Sequence, residues 1–196
     1  MMFLTKIHLN AAVCRRENLR DSYAMHRLIY SFFPKEKKPG RFLYADQGPA
    51  AGGRSLLILS AVLPELPEDI SSASTELSDR FFQFESFQFK IRINPVRRDP
   101  ESKKRLPITG QLPLLQWFAS RAKQWGFEVD INTLEVRTLP SVSFPKNGSE
   151  CRFHCVEFRG CLKVADPALF RQHVENGIGH GKAFGFGLLQ LVPIQQ

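Results

Sequence analysis

The segment DSYAMHRLIYSFFP, residues 21–34, sets Tyr23 and His26 three positions apart, with Arg27 alongside. Imidazole has an ordinary pKa of about 6.5, so it accepts or gives up a proton near neutral pH. A phenol one helical turn away can orient a scissile group or steady developing charge, and a guanidinium can hold a phosphate. The residue types are those of acid–base chemistry beside an anion. Incidental aromatics on a solvated helix face are the plain structural alternative.

The element that must position these groups is a short helix. Asp21 or Ser22 can cap its start, and Pro34 closes it. At about 100° per residue, Met25, Leu28, Ile29 and Phe32 fall on one stripe, the i, i+3, i+4, i+7 spacing of a core face. At the same helical step Tyr23, His26 and Tyr30 cluster roughly 150° away. His26 is therefore predicted to stand off the core face, beside two phenols.

The rest of the chain supplies the frame. Its 196 residues suit one large domain or two small ones, and 43% hydrophobic content with 17 Phe provides material for cores. FLTKIHLN (3–10) alternates with the period of a strand. After a basic loop and the helix, strands are predicted at 40–46 and 55–63, a helix over the polar stretch 65–79, and an edge strand at RFFQF (80–84). That order, βαββαβ, is ferredoxin-like. A second round begins at FQFKIRINP (87–95), with a helix from Pro113 to Trp125 and strands at 127–138 and 152–164. Asp166 caps a further helix, with Pro167 at its first position and Gly177 at its end, before the strand FGLLQLVP. The predicted fold is α+β, with two tandem ferredoxin-like (RRM-like) domains at 1–86 and 87–196.

Charge narrows the partner. The net charge is +8, and a chain this basic usually meets something anionic, nucleic acid first. Between Glu65 and Glu85 six acidic residues face only Arg80, so the basic excess lies elsewhere. From Lys90 to Arg105 seven basic residues stand against Asp99 and Glu101. The tail NGIGHGKAFGFGLLQL (176–191) fails as a P-loop, because Asn176 and Ala183 occupy required Gly and Ser/Thr positions. It also fails as a dinucleotide fingerprint, because Lys182 takes the final glycine slot. What remains is a loop of exposed amides around Gly179, His180, Gly181 and Lys182, able to lie against a sugar-phosphate backbone or to serve as a plain turn. Cys14, Cys151, Cys155 and Cys161 show no paired C-x-x-C spacing, so they read as buried free thiols, the last three on one strand face. Neither a signal peptide nor a membrane-length apolar run is visible, which points to a cytoplasmic protein. No Asp/Glu/His cluster suggests a metal site, and no cofactor is expected.

Four stretches occur in order: FLTKIHLN, SYAMHR, FKIRINPVRR and GIGHGKAFGFGLL. Together they resemble the CasE family, the CRISPR RNA-processing endoribonucleases of type I-E systems. The resemblance covers essentially the whole chain, and the Tyr-x-x-His helix with the R-x-N-P motif is its specific part. It implies metal-free cleavage of a precursor CRISPR transcript within each repeat, at the base of the hairpin. The RNA's own 2′-hydroxyl attacks, leaving a cyclic phosphate or 3′-phosphate. His26 matches the family's catalytic histidine and Tyr23 its catalytic tyrosine. The resemblance implies two partners, the CRISPR repeat hairpin and the other subunits of the surveillance complex. Arg27, Arg92, Arg97, Arg98, Lys103, Lys104, Arg105, Arg137, Arg152, Arg159, Gly179, Gly181 and Lys182 are the expected RNA contacts, with 137–159 as the hairpin that engages the stem. A non-cleaving RNA-binding subunit is the alternative.

Overall fold

The alternation in FLTKIHLN becomes β1 (Phe3–Asn10), with Thr5, Ile7 and Leu9 enclosed and Lys6 outside. The structure, a computed structural model, describes residues 1–34, 41–50, 52–146 and 149–195, with the backbone alone at 144–146 and 149–151. The basic stretch expected as a loop opens with a one-and-a-half-turn helix, α1 (Ala11–Arg16), because the Asn10 side chain accepts a hydrogen bond from Val13 N. The site helix follows as α2 (Ser22–Ser31). β2 (Leu43–Ala50) and β3 (Gly53–Ser60) form a hairpin, and β4 (Ser71–Glu76) returns along β1. The sheet runs β2-β3-β1-β4, all antiparallel, which is the ferredoxin-like order. The expected strand start at Gly40 lies outside the described residues.

Two expectations in this half are corrected. The stretch 65–79 contains no helix: Pro67 would interrupt its hydrogen bonding, and Ser71–Glu76 pairs as a strand instead, with the Thr5 and Ser74 hydroxyls 2.9 Å apart. RFFQF is not the edge strand but part of a 3-10 turn, Asp79–Gln83. Adjacent Phe81 and Phe82 both pack on the core of the following half, which a strand, alternating its faces, does not permit.

The second round reads β5 (Ser86–Ile93), a small hairpin of β6 (Val96–Arg98) and β7 (Arg105–Pro107), α3 (Gln111–Ala122), β8 (Phe127–Val129), β9 (Glu135–Lys146), β10 (Ser149–Val164), α4 (Pro167–Asn176) and β11 (Gln190–Pro193). The sheet order β11-β5-β10-β8 repeats the ferredoxin-like arrangement, with β9 paired to β10. The strand expected at 127–138 is broken by a turn at 131–133 into β8 and β9. The stretch left between it and the strand expected at 152–164 is strand on both sides of a tip, 147–148, that lies outside the described residues. β9 tolerates Pro140 and Pro145 because β10 is its partner on one side only. The register shifts between Phe153 and Cys155, opposite Pro140. Cys155 is buried, its thiol pushed up to about 11 by burial, whereas Cys161 is half-buried and Cys151 is described in backbone only. Among the described residues no helix is long and apolar enough to cross a membrane.

Each half has its own core. Phe87, Phe118, Phe127, Phe158 and Phe170 fill the second, with Phe118 and Phe158 stacked at 4.4 Å. In the first, α2 lays Met25, Leu28, Ile29 and Phe32 against β1, β2 and β3, the predicted stripe. Between the halves, Leu43, Ala45, Leu59 and Leu188 form an apolar seam. Beside it Gln47 donates to Gln190 (3.0 Å), Lys90 donates to Gln47 (2.8 Å), and Arg92 donates to the Asp46 carbonyl (2.8 Å).

Asp21 is the N-cap of α2: its carboxylate accepts from Ala24 N at 2.7 Å. Tyr44, almost fully buried, donates its hydroxyl to the Ser22 carbonyl at 3.1 Å and so pins the first turn. Asp21→Ala is expected to cost about 1 kcal/mol, lowering the melting temperature by a few degrees. A melt indistinguishable from the parent chain would show the Tyr44 bond alone suffices.

Candidate active site

His26 leaves α2 on the side away from the core stripe, yet it is not a solvated side chain. Its ring stacks on Phe42 at 5.1 Å and 21°, with Tyr30 and Phe184 each 6.4 Å away. Nδ1 is buried and has no hydrogen-bond partner among the described residues. Protonation would place an unpaired N–H in this apolar wall, and burial accordingly lowers the His26 pKa from its ordinary value. The imidazole is thus held neutral near pH 7, ready to take a proton. One turn earlier, half-exposed Tyr23 lies beneath the Arg27 guanidinium, 5.6 Å from its ring centre.

The opposite wall is the glycine-rich loop. His26, Tyr30, Arg41 and Phe42 face Gly179, His180, Gly181, Lys182 and Ala183 across an open cleft of about 520 Å³. Two glycines explain how the loop comes so close. Gly177, at φ +72°, abuts Leu43, where a Cβ would come within 2.7 Å of a methyl carbon. Gly187, at φ +82°, leaves no room for a Cβ beside the Ile178 carbonyl oxygen. Lys182 Nζ donates to the Asn176 carbonyl at 2.7 Å, closing the loop on itself. Burial, then repulsion from Arg41, lowers the Lys182 pKa. Burial, then Arg105 and Lys182, lowers that of His180. The cleft therefore sets an imidazole among cations, Arg41 on its own wall and Lys182 opposite, an arrangement suited to an anionic substrate.

The other predicted contacts fall in three places. Arg97, Arg98, Lys103, Lys104 and Arg105 are exposed on the β6–β7 hairpin, and Arg105 reaches the cleft electrostatically through His180. Arg137 and Arg152 are exposed on the long β9–β10 hairpin. The base of that hairpin meets the cleft through Phe153, whose ring lies 5.5 Å from Phe184 and 5.7 Å from Phe186. Arg92 and Arg159 stand apart from both groups. They bind buried Glu157 at 2.9 and 2.6 Å, and Arg92 also crosses to the first half. Among the described residues, no three His, Cys, Asp or Glu side chains are grouped to hold a metal.

Arg41, Phe42 and Phe184 line the site without having been singled out in the sequence. Phe42 lies just before β2 and Phe184 in the glycine loop's 3-10 turn, so neither belongs to a periodic pattern that would mark it.

Comparison with known proteins agrees with this geometry. A family model described as CRISPR associated protein matches residues 2–193. The CRISPR-associated endoribonuclease Cse3 of Thermus thermophilus is 27% identical over 212 residues, covering 98% of this chain and all of that one. The CRISPR system Cascade subunit CasE of Escherichia coli K12 is 25% identical over 207 residues, covering 96% and 100%. The solved structure of endoribonuclease Cse3 bound to a 19-nucleotide RNA matches at TM-score 0.81 and 25% identity, covering 98% and 100%. E. coli Cas6e matches the fold at TM-score 0.74 and 22% identity, over 98% of this chain and all of that one. The resemblance drawn from four motifs thus spans both halves, and the chain belongs to the CRISPR-associated protein family, alongside Cse3 and CasE.

Proposed function

We propose that this chain is an endoribonuclease that cuts precursor CRISPR RNA within the repeat, at the base of its hairpin, without a metal. The observation that carries this reading is the neutral-held His26 facing the glycine loop and Lys182, with Tyr23 one turn earlier and Arg27 next in sequence. RNA brings its own nucleophile, so the protein need move protons and stabilise charge. His26 removes the 2′-hydroxyl proton, the oxygen attacks the adjacent phosphorus, and the 5′-oxygen leaves. Tyr23 orients the scissile phosphate, and Arg27 and Lys182 offset its growing charge.

A-form RNA is read mainly by shape and backbone, which suits two exposed basic hairpins flanking a small cleft. Residues 1–86 would then carry the catalytic helix, and 87–196 the hairpin that holds the stem and the glycine loop that completes the cleft. The Cse3 relatives, one of them solved with RNA, support binding to the repeat, and the Cascade subunit name of CasE supports assembly into a type I-E complex with the product retained.

Incubation with the repeat RNA of its own locus in EDTA tests the proposal. The expected result is a single cut at the 3′ base of the stem, leaving a cyclic phosphate or 3′-phosphate and a 5′-hydroxyl. A requirement for magnesium would overturn the mechanism. A repeat that is bound but uncut would make the chain a non-cleaving RNA-binding subunit.

A further inference from the structure

Strand cleavage by a 2′-hydroxyl moves two protons. One leaves the attacking 2′-oxygen as the O–P bond forms. The other must reach the 5′-oxygen as the P–O5′ bond breaks, since a free alkoxide is a poor leaving group. His26 suits the first task. With Nδ1 enclosed and unpaired, its resting form is the neutral base, and its charged form finds no partner on the inner side. A resting neutral base has no proton to give the leaving group.

Across the cleft stands a second imidazole. His180 is exposed on the loop wall that faces His26, between Gly179 and Gly181, both with positive φ. The charged and titratable groups around it are Lys182 on its own loop, Arg105 on β7, and Arg41 beyond Lys182. Those facing His26 are Tyr30, Arg41, Lys182 and His180 itself. Lys182 is less suited to donate, because its ammonium is already tied to the Asn176 carbonyl. We propose that His180 is a second catalytic imidazole, protonating the departing 5′-oxygen while His26 accepts the 2′-hydroxyl proton. The inference rests on the cleavage reading above. Before RNA binds, burial, Arg105 and Lys182 leave the His180 imidazolium the minor form; the bound phosphate offsets those cations and so favours the proton on His180, from which the 5′-oxygen takes it. After each cut the two histidines have exchanged roles, and solvent returns the protons.

A substrate with sulfur in place of the 5′-bridging oxygen isolates the step, because a thiolate leaves without protonation. In single-turnover assays, His180→Gln is expected to cut the ordinary repeat RNA about 100-fold more slowly than the parent chain. On the sulfur substrate its rate should return to within a few-fold of the parent. His26→Ala should stay slow on both. Affinity for repeat RNA with a 2′-deoxy nucleotide at the cut site should be unchanged by His180→Gln, showing that the loop is intact. Parent-like cleavage of the ordinary RNA by His180→Gln would overturn the inference, as would a defect that sulfur fails to relieve. A parent chain that cuts neither substrate would overturn the cleavage reading itself, and this one with it.

Discussion

His26→Ala is expected to lower the single-turnover cleavage rate by about 10²–10⁴-fold, the usual worth of a positioned proton-transfer group, while repeat RNA binds as before. Binding should persist because Arg97, Arg98, Lys103, Lys104, Arg105, Arg137 and Arg152 stay exposed on the two hairpins, and His26→Ala removes no cation from the cleft. The fold should persist as well, because the helix is anchored by Met25, Leu28, Ile29 and Phe32 rather than by His26. The pH dependence follows from the direction of the shift. Burial lowers the His26 pKa below its ordinary value near 6.5, so the neutral base predominates at pH 7 and is lost as pH falls through the lowered pKa. The cleavage rate should therefore drop on the acidic side only below about pH 6.5, and that acidic limb should vanish in His26→Ala. A variant cutting within a few-fold of the parent would remove His26 from the chemistry. Loss of RNA affinity would instead make it a binding residue.

Gly187→Ala is expected to be the most damaging small substitution in the glycine loop. Gly187 sits at φ +82°, and its neighbours leave no space for a methyl group: a Cβ would overlap the Ile178 carbonyl oxygen, which is backbone. The same residue stitches the loop in place, its carbonyl accepting from Ile178 N at 2.9 Å and its N–H donating to the Arg92 carbonyl at 2.8 Å. A left-handed backbone alone costs a non-glycine residue about 1–2 kcal/mol, and displacement of these bonds adds about 1 kcal/mol each. The sum, about 3–4 kcal/mol, corresponds to a melting temperature lower by roughly 6–16 °C for a chain of this size. Gly48→Ala is the matched comparison, because Gly48 has φ +88° with nothing within 4 Å of a built Cβ. It should show the conformational cost alone, about a third to a half of the larger effect. Equal melts for the two variants would mean that the loop absorbs the overlap. Cleavage should fall only in Gly187→Ala, since only there does the wall opposite His26 move.

Much of this organisation is legible in local spacing. The period of FLTKIHLN defined β1, the stripe from Met25 to Phe32 oriented α2, and Asp166 with Pro167 marked the start of α4. The errors have local causes too. Pro67 and a run of serines overrode the expected helix at 65–79, and consecutive phenylalanines at 81 and 82 concealed a 3-10 turn within an apparent strand. Spacing does not record that Arg92 and Arg159 share ion pairs with Glu157, the buried residue opposite Arg92 in the β10–β5 register.

The sequence by itself determined which face of α2 turns inward, that Tyr23 and His26 lie on the other, and that a basic chain of two ferredoxin-like halves carries a glycine loop near its end. Those properties follow from residue order within a few turns or strands. Only the tertiary structure decided that His26 is half-buried rather than solvated, that Phe42 and Phe184 enclose its ring, and that His180 and Lys182 stand opposite. These contacts join the two ends of the chain, through an apolar seam of Leu43, Ala45, Leu59 and Leu188 and glycines that admit backbone where a side chain would not fit. The proton affinity of an imidazole depends on what surrounds it, and those surroundings come from distant segments that no local period records.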